Sequence, residues 1–176
     1  MSKTKKVLLI HGWGGKKDHH WLTWIEKQLL MRGDEVCFPQ IPNKYNPNQK
    51  KWTLFIKEEV KNFQPDIVIA HSLGALTWWH FYHQNDYQLE QLICVSPPTF
   101  SSFPSKMSTF FPLPTIKFNQ GVQTIIYALD DPNIDEKLLR KLAKNMNSDL
   151  IEKESGEHLD HFSKTVKLSE VLEIVS

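Results

Sequence analysis

The chain has 176 residues, enough for one domain with a single core and too few for two comfortable ones. Its 21 basic and 20 acidic side chains leave a net charge of +1, and 40% of its residues are hydrophobic, the balance of an ordinary soluble globular protein. That balance excludes an electrostatic case for nucleic acid as a partner. The apolar run "VLLI" behind Lys3, Lys5 and Lys6 is much shorter than a signal-peptide core or a membrane span, so a cytoplasmic location with no membrane association is expected.

Along the chain, short β-branched apolar runs alternate with longer stretches whose apolar residues recur at helical spacing. Strands are expected at residues 6–10, 35–38, 66–70, 91–95, 122–128 and 149–152; four of them read as near-continuous apolar runs, the pattern of strands buried on both faces. Helices are expected at 20–31, 50–62, 72–83, 135–144 and 162–174, with Gly33 as a stop for the first. Right-handed crossovers then give one α/β domain spanning residues 1–176, a parallel sheet with helices on both faces. Cys37 and Cys94 each fall inside an expected strand, without the spacing of a metal site, and free thiols are expected.

Two stretches break the alternation. "PQIPNKYNPNQ", residues 39–49, is a polar loop, and residues 97–121 form a longer one with five prolines and five phenylalanines. The second reads either as a flap or rim beside a site or as a loop pinned to the core by its aromatic rings.

The chemistry concentrates at strand ends. In "DIVIAHSLGALTWWHFY", residues 66–82, an apolar strand runs through His71, Ser72 and Gly74 into an aromatic-rich helix. A serine hydroxyl becomes a nucleophile only when a base lies within hydrogen-bond reach, and a strained strand-to-helix turn supplies that exposure. The stretch resembles the nucleophile elbow of α/β-hydrolases, Gly-x-Ser-x-Gly, with Ala70 at the first glycine. Because the requirement there is steric, one extra methyl is a mild departure. The alternative is that Ser72 caps a helix, although no capping-box glutamate follows.

The first strand runs into "HGWGG", residues 11–15, a turn able to point backbone N–H groups inward. It lacks the third glycine of a dinucleotide loop, and neither Lys16 nor Lys17 completes a Walker pattern, so no phosphate cofactor is expected. No cofactor or metal is expected at all: His158 and His161 flank Asp160, and His19 and His20 follow Asp18, but no third and fourth ligand has matching spacing.

"LLIHGWGG", "IVIAHSLGA", "VSPP", "ALDDP" and the histidine near the C-terminus together resemble the small serine hydrolases of the retinoblastoma-binding-protein-nine type, over nearly the whole chain. The resemblance implies a minimal α/β-hydrolase, a three-layer α/β/α sandwich with about six parallel strands in the order 2-1-3-4-5-6. It implies a carboxylesterase-like serine hydrolase acting on a small-molecule acyl ester or thioester. Ser72 would be the nucleophile, Asp131 the acid and His158 the base, the chain order of that fold's triad. The backbone amides of Trp13 and Leu73 would form the oxyanion hole. Asp131, with Ile134 three residues on, fits the acid loop better than Asp130, and Asp135 is the better cap for the following helix. His161 is the second candidate base, because Glu157 intrudes where the family often has Gly-His directly. A different class of reading keeps the fold but not the activity: six tryptophans would suit a binding or scaffold protein with a protein partner.

Overall fold

The computed structural model describes residues 4–85, 87–100, 105–118 and 121–175. Six strands form a single sheet: β1 (Lys6–Ile10), β2 (Glu35–Cys37), β3 (Ile67–His71), β4 (Gln91–Val95), β5 (Val122–Ala128) and β6 (Asp149–Lys153). Every pairing is parallel and the spatial order is β2-β1-β3-β4-β5-β6, the expected minimal α/β-hydrolase arrangement. The order reverses direction at β1, so the C-terminal ends of β1 and β3 lie side by side. In open α/β sheets ligands bind in the crevice at such a reversal.

Among the described residues, five helices cover the sheet: α1 (Trp21–Arg32), α2 (Gln49–Phe63), α3 (Leu73–Asn85), α4 (Glu136–Met146) and α5 (Ser169–Ile174). Alternate residues of each strand feed two cores. Val7, Leu9, Ile67, Ile69, Ile93 and Val95 pack with α1 and α5, whereas Leu8, Ile10, Val68, Ala70 and Cys94 pack with α2, α3 and α4. This period-two split is why strands at the sheet centre are apolar at every position. Trp21, Trp52, Trp78 and Trp79 are completely buried, so four of the six tryptophans belong to the core.

Helix ends follow local chemistry. His20 caps α1 through its ring nitrogen, Asn48 caps α2 and Asp135 caps α4, each accepting a backbone N–H of the first turn. Gly33 ends α1 in the left-handed conformation, as expected. Cys37 and Cys94 are free, Cys94 buried and Cys37 half-buried beside Glu59.

The last helix is much shorter than the expected 162–174. Asp160 Oδ1 accepts the N–H groups of Phe162 and Ser163, and Lys164 adopts a positive φ of 59°. This side-chain turn satisfies the donors that would start a helix, so α5 begins only at Ser169. Of the loop at 97–121, residues 101–104 and 119–120 lie outside the described ones. Within the described part, Ser105–Phe110 forms a short 3₁₀ turn, with Phe110 buried and its carbonyl accepting from His80 Nε2. The Phe118 ring stacks on Tyr82 at 4.2 Å. No described helix is long and apolar enough to cross a membrane.

Candidate active site

Ser72 stands alone between the end of β3 and the start of α3, with φ 54°. A left-handed serine is costly, and it persists here because the surroundings over-determine it. Its N–H donates to Val95 O at 2.9 Å and its carbonyl accepts from Ala75 N at 3.0 Å, which fixes both flanks of the turn. The turn also needs closeness to β1: a Cβ on Gly74 would lie 2.5 Å from Ile10 O, and one on Gly12 would lie 2.8 Å from Ser72 Cβ. Ala70, by contrast, is fully buried in the core, which accommodates its methyl without displacing the strand.

Two later strand ends meet this serine. Ser72 Oγ lies 2.8 Å from His158 Nε2, and His158 Nδ1 lies 2.8 Å from Asp131 Oδ2. A carboxylate only accepts, so Nδ1 carries the proton and Nε2 is left to accept the serine hydroxyl. Asp131 is held in turn by the Asn133 N–H on its other oxygen, at 2.9 Å, with its side chain fully buried. The two alternatives raised by the sequence fall elsewhere. His161 Nε2 rests 2.6 Å from Lys17 Nζ, and Asp130 accepts the N–H groups of Gly156 and Glu157 at 3.3 and 2.8 Å.

Asp130 is therefore one of several groups that shape the His158 loop. Glu157 and Leu159, on either side of the histidine, both have positive φ, 48° and 47°. Trp21 Nε1–H donates to Leu159 O at 2.7 Å, and His71 Nε2–H donates to His158 O at 3.1 Å. The sequence reading missed His71, although it immediately precedes Ser72; a buried polar residue at a strand end was the available signal.

Behind the site the buried histidines are neutral. The rings of His20 and His71 lie 4.9 Å apart, and those of His71 and His158 lie 5.2 Å apart. Burial lowers His20 to about 4 and His71 well below the ordinary value, where neighbouring imidazoles add to the effect. Burial likewise lowers His11 to about 4; its Nδ1–H donates to Gly12 O at 2.7 Å and its Nε2 accepts Ile41 N–H at 2.9 Å. His11 thereby ties the glycine turn to the 39–49 loop.

A cavity of about 310 Å³ opens over Ser72 and His158, walled by Trp13, Phe38, Met107 and Phe162. Two amides edge it. Leu73 is the first residue of α3, so its N–H belongs to the donors a helix leaves unpaired. Gly14 N–H and Gly15 N–H are turned onto Lys44 O and Gly12 O, while Trp13 N–H has no partner among the described residues.

Residues 7–176 match the family model for serine hydrolases. The chain belongs to that family. Its fold is shared with the ydeN gene product of Bacillus subtilis, at TM-score 0.82 and 22% identity over 98% of this chain and 97% of the other. A YdeN-like hydrolase of Pectobacterium atrosepticum aligns at TM-score 0.79 and 18% identity, over 97% and 88% of the two chains. A structure from work on carboxylesterases of Nitrososphaera gargenis aligns at 0.67 and 11%, over 98% and 89%.

Two stability predictions follow from the geometry of this serine hydrolase. Gly74→Ala drives a methyl into backbone carbonyls that cannot rotate away, and urea unfolding is expected to show a loss of at least about 2 kcal/mol. The second concerns pH. Histidines whose folded pKa is depressed take up protons on unfolding below about 6.5, so stability is full at neutral pH and falls as the pH drops toward 4. The expected slope is about 1.4 kcal/mol per pH unit for each buried histidine within that window. Urea midpoints measured between pH 7 and 5 should fall steeply, and less steeply in His20→Asn, which keeps a capping acceptor.

Proposed function

We propose that this hydrolase cleaves small acyl esters or thioesters through an acyl-enzyme on Ser72. The observation that carries the reading is the unbroken hydrogen-bond line from Ser72 Oγ through His158 to Asp131, two contacts of 2.8 Å each. In the proposed cycle, Ser72 Oγ attacks the acyl carbonyl as its proton passes to His158 Nε2. The carbonyl oxygen takes up the negative charge and is held by the amides of Trp13 and Leu73. Collapse expels the alcohol or thiol with the proton from His158, leaving the acyl group on Oγ. Water then attacks with His158 again as base, releasing the carboxylic acid and restoring the serine. Asp131 holds the imidazole in the tautomer that can accept and stabilises the imidazolium. The two free thiols suit a reducing compartment, and the cytoplasm is the proposed place of action.

Turnover of p-nitrophenyl acetate by purified wild type and Ser72→Ala tests the reading. The expected result is a loss of at least about a thousandfold in kcat. Equal rates would instead favour a scaffold that retains the hydrolase fold. The two aspartates should separate as well: Asp131→Asn is expected to cost more than about a hundredfold in kcat/KM, whereas Asp130→Asn, which leaves the imidazole partner in place, costs less than about tenfold.

A further inference from the structure

One cation at the cavity is not used by the proposed chemistry. Lys17 lines the cavity two residues after the glycine turn, and its ammonium rests against the His161 ring, 2.6 Å from Nε2. It also lies 5.1 Å from the centre of the Phe162 ring. Among the described residues no carboxylate comes within ion-pair distance of Lys17, whereas its neighbour Lys16 is paired with Glu26 at 2.8 Å. The nearby acids have hydrogen-bond partners of their own, although Asp160 also lines the cavity. Asp160 Oδ1 is taken by the N–H groups of Phe162 and Ser163, and Asp131 by His158 and Asn133.

A second lysine supports the first. The Lys44 stem packs where a Cβ on Gly15 would sit, 2.4 Å away, on the same glycine turn whose Gly14 faces Lys17 Nζ. Lys44 also lacks a carboxylate within ion-pair distance among the described residues, and its ammonium lies 5.3 Å from the Tyr45 ring centre. Partial burial lowers the Lys17 pKa and the Lys44 charge adds to this, while the Asp160 carboxylate, beyond ion-pair distance, acts the other way. Trp13, Leu22, Phe38, Met107 and Phe162 supply an apolar share of the wall, which strengthens the charges set in it, Lys17 and Asp160 among them.

We infer that Lys17 is a specificity-determining residue, and that the preferred substrates of the site are acyl esters carrying a carboxylate that pairs with its ammonium. The inference rests on the Ser72 reading and names the substrate class for it. An arriving carboxylate would take the place of the neutral His161 as the lysine's partner, a charge-assisted contact where the free protein has only an imidazole. Lys44 adds to the positive field that draws such a substrate to the mouth.

Two matched ester pairs test it, one with the charge on each side of the scissile bond. The first is the mono-p-nitrophenyl ester of adipic acid against its methyl-capped counterpart. The second is the acetyl ester of 4-hydroxybenzoic acid against that of methyl 4-hydroxybenzoate. The readout is the ratio of kcat/KM, anionic over neutral, at low ionic strength in wild type, Lys17→Met, Lys17→Arg and Lys17→Glu. For at least one pair the ratio is expected to fall about tenfold in Lys17→Met and further in Lys17→Glu, and to be largely kept in Lys17→Arg. A ratio that is the same in all four proteins for both pairs overturns the inference while leaving the Ser72 reading intact. Absence of turnover of all four esters by wild type overturns both.

Discussion

The site depends on one close approach, that of the glycine turn after β1 to the elbow after β3. Nothing larger than hydrogen fits at Gly74 against the Ile10 and His11 carbonyls, and Gly12 stands against Ser72 itself. Parallel pairing of β1 with β3 brings the two strand ends together, and the reversal of strand order opens the crevice above them. Ser72 is lifted out of the sheet at a positive φ because both flanks of its turn are hydrogen-bonded. Trp13 follows Gly12 on that turn and Leu73 follows Ser72 on the elbow, so the proposed nucleophile and its proposed oxyanion donors sit on the two segments that this approach brings together.

The second requirement is a rigid imidazole, and here the loop after β6 is held from several elements at once. Asp130 takes two of its amides, Trp21 of α1 takes one carbonyl, and His71 of β3 takes another. Burial keeps the histidines behind it neutral, so His71 can act as a simple N–H donor without placing a positive charge beside His158. The cost of this arrangement is paid in acid, where unfolding lets these rings take up protons. Adjacent aspartates thus divide the work between them: Asp131 orients the ring, and Asp130 orients the backbone that carries it.

Much of this was legible in the sequence, for physical reasons that differ by element. The central strands announce themselves because both faces are buried, and the glycine turn and "AHSLG" because backbone approach permits few residues there. The choice of Asp131 over Asp130 was also readable, since Asp135 is available to cap α4 and Asp131 keeps the spacing to Ile134. The end of the chain was harder. Helical spacing after residue 162 suggested a longer α5, yet Asp160 diverts the amides of Phe162 and Ser163 into a turn, a competition that periodicity does not register. The sequence favoured His158 with His161 as runner-up, and what separates them is contacts many residues away: Ser72 and Asp131 for the first, Lys17 for the second. The supporting contacts of His71, Asp130 and Trp21 are backbone directed, and side-chain patterns carry no record of which carbonyl or amide will be nearby.

The central claim is that Ser72, His158 and the two rim amides act on one carbonyl. The most direct measurement is a crystal structure of the protein after reaction with a small fluorophosphonate. The account predicts a phosphonyl group on Ser72 Oγ, its phosphoryl oxygen accepting from Trp13 N and Leu73 N at about 3 Å, and His158 still bonded to Asp131. An adduct on another residue, or a phosphoryl oxygen turned away from both amides, would contradict it.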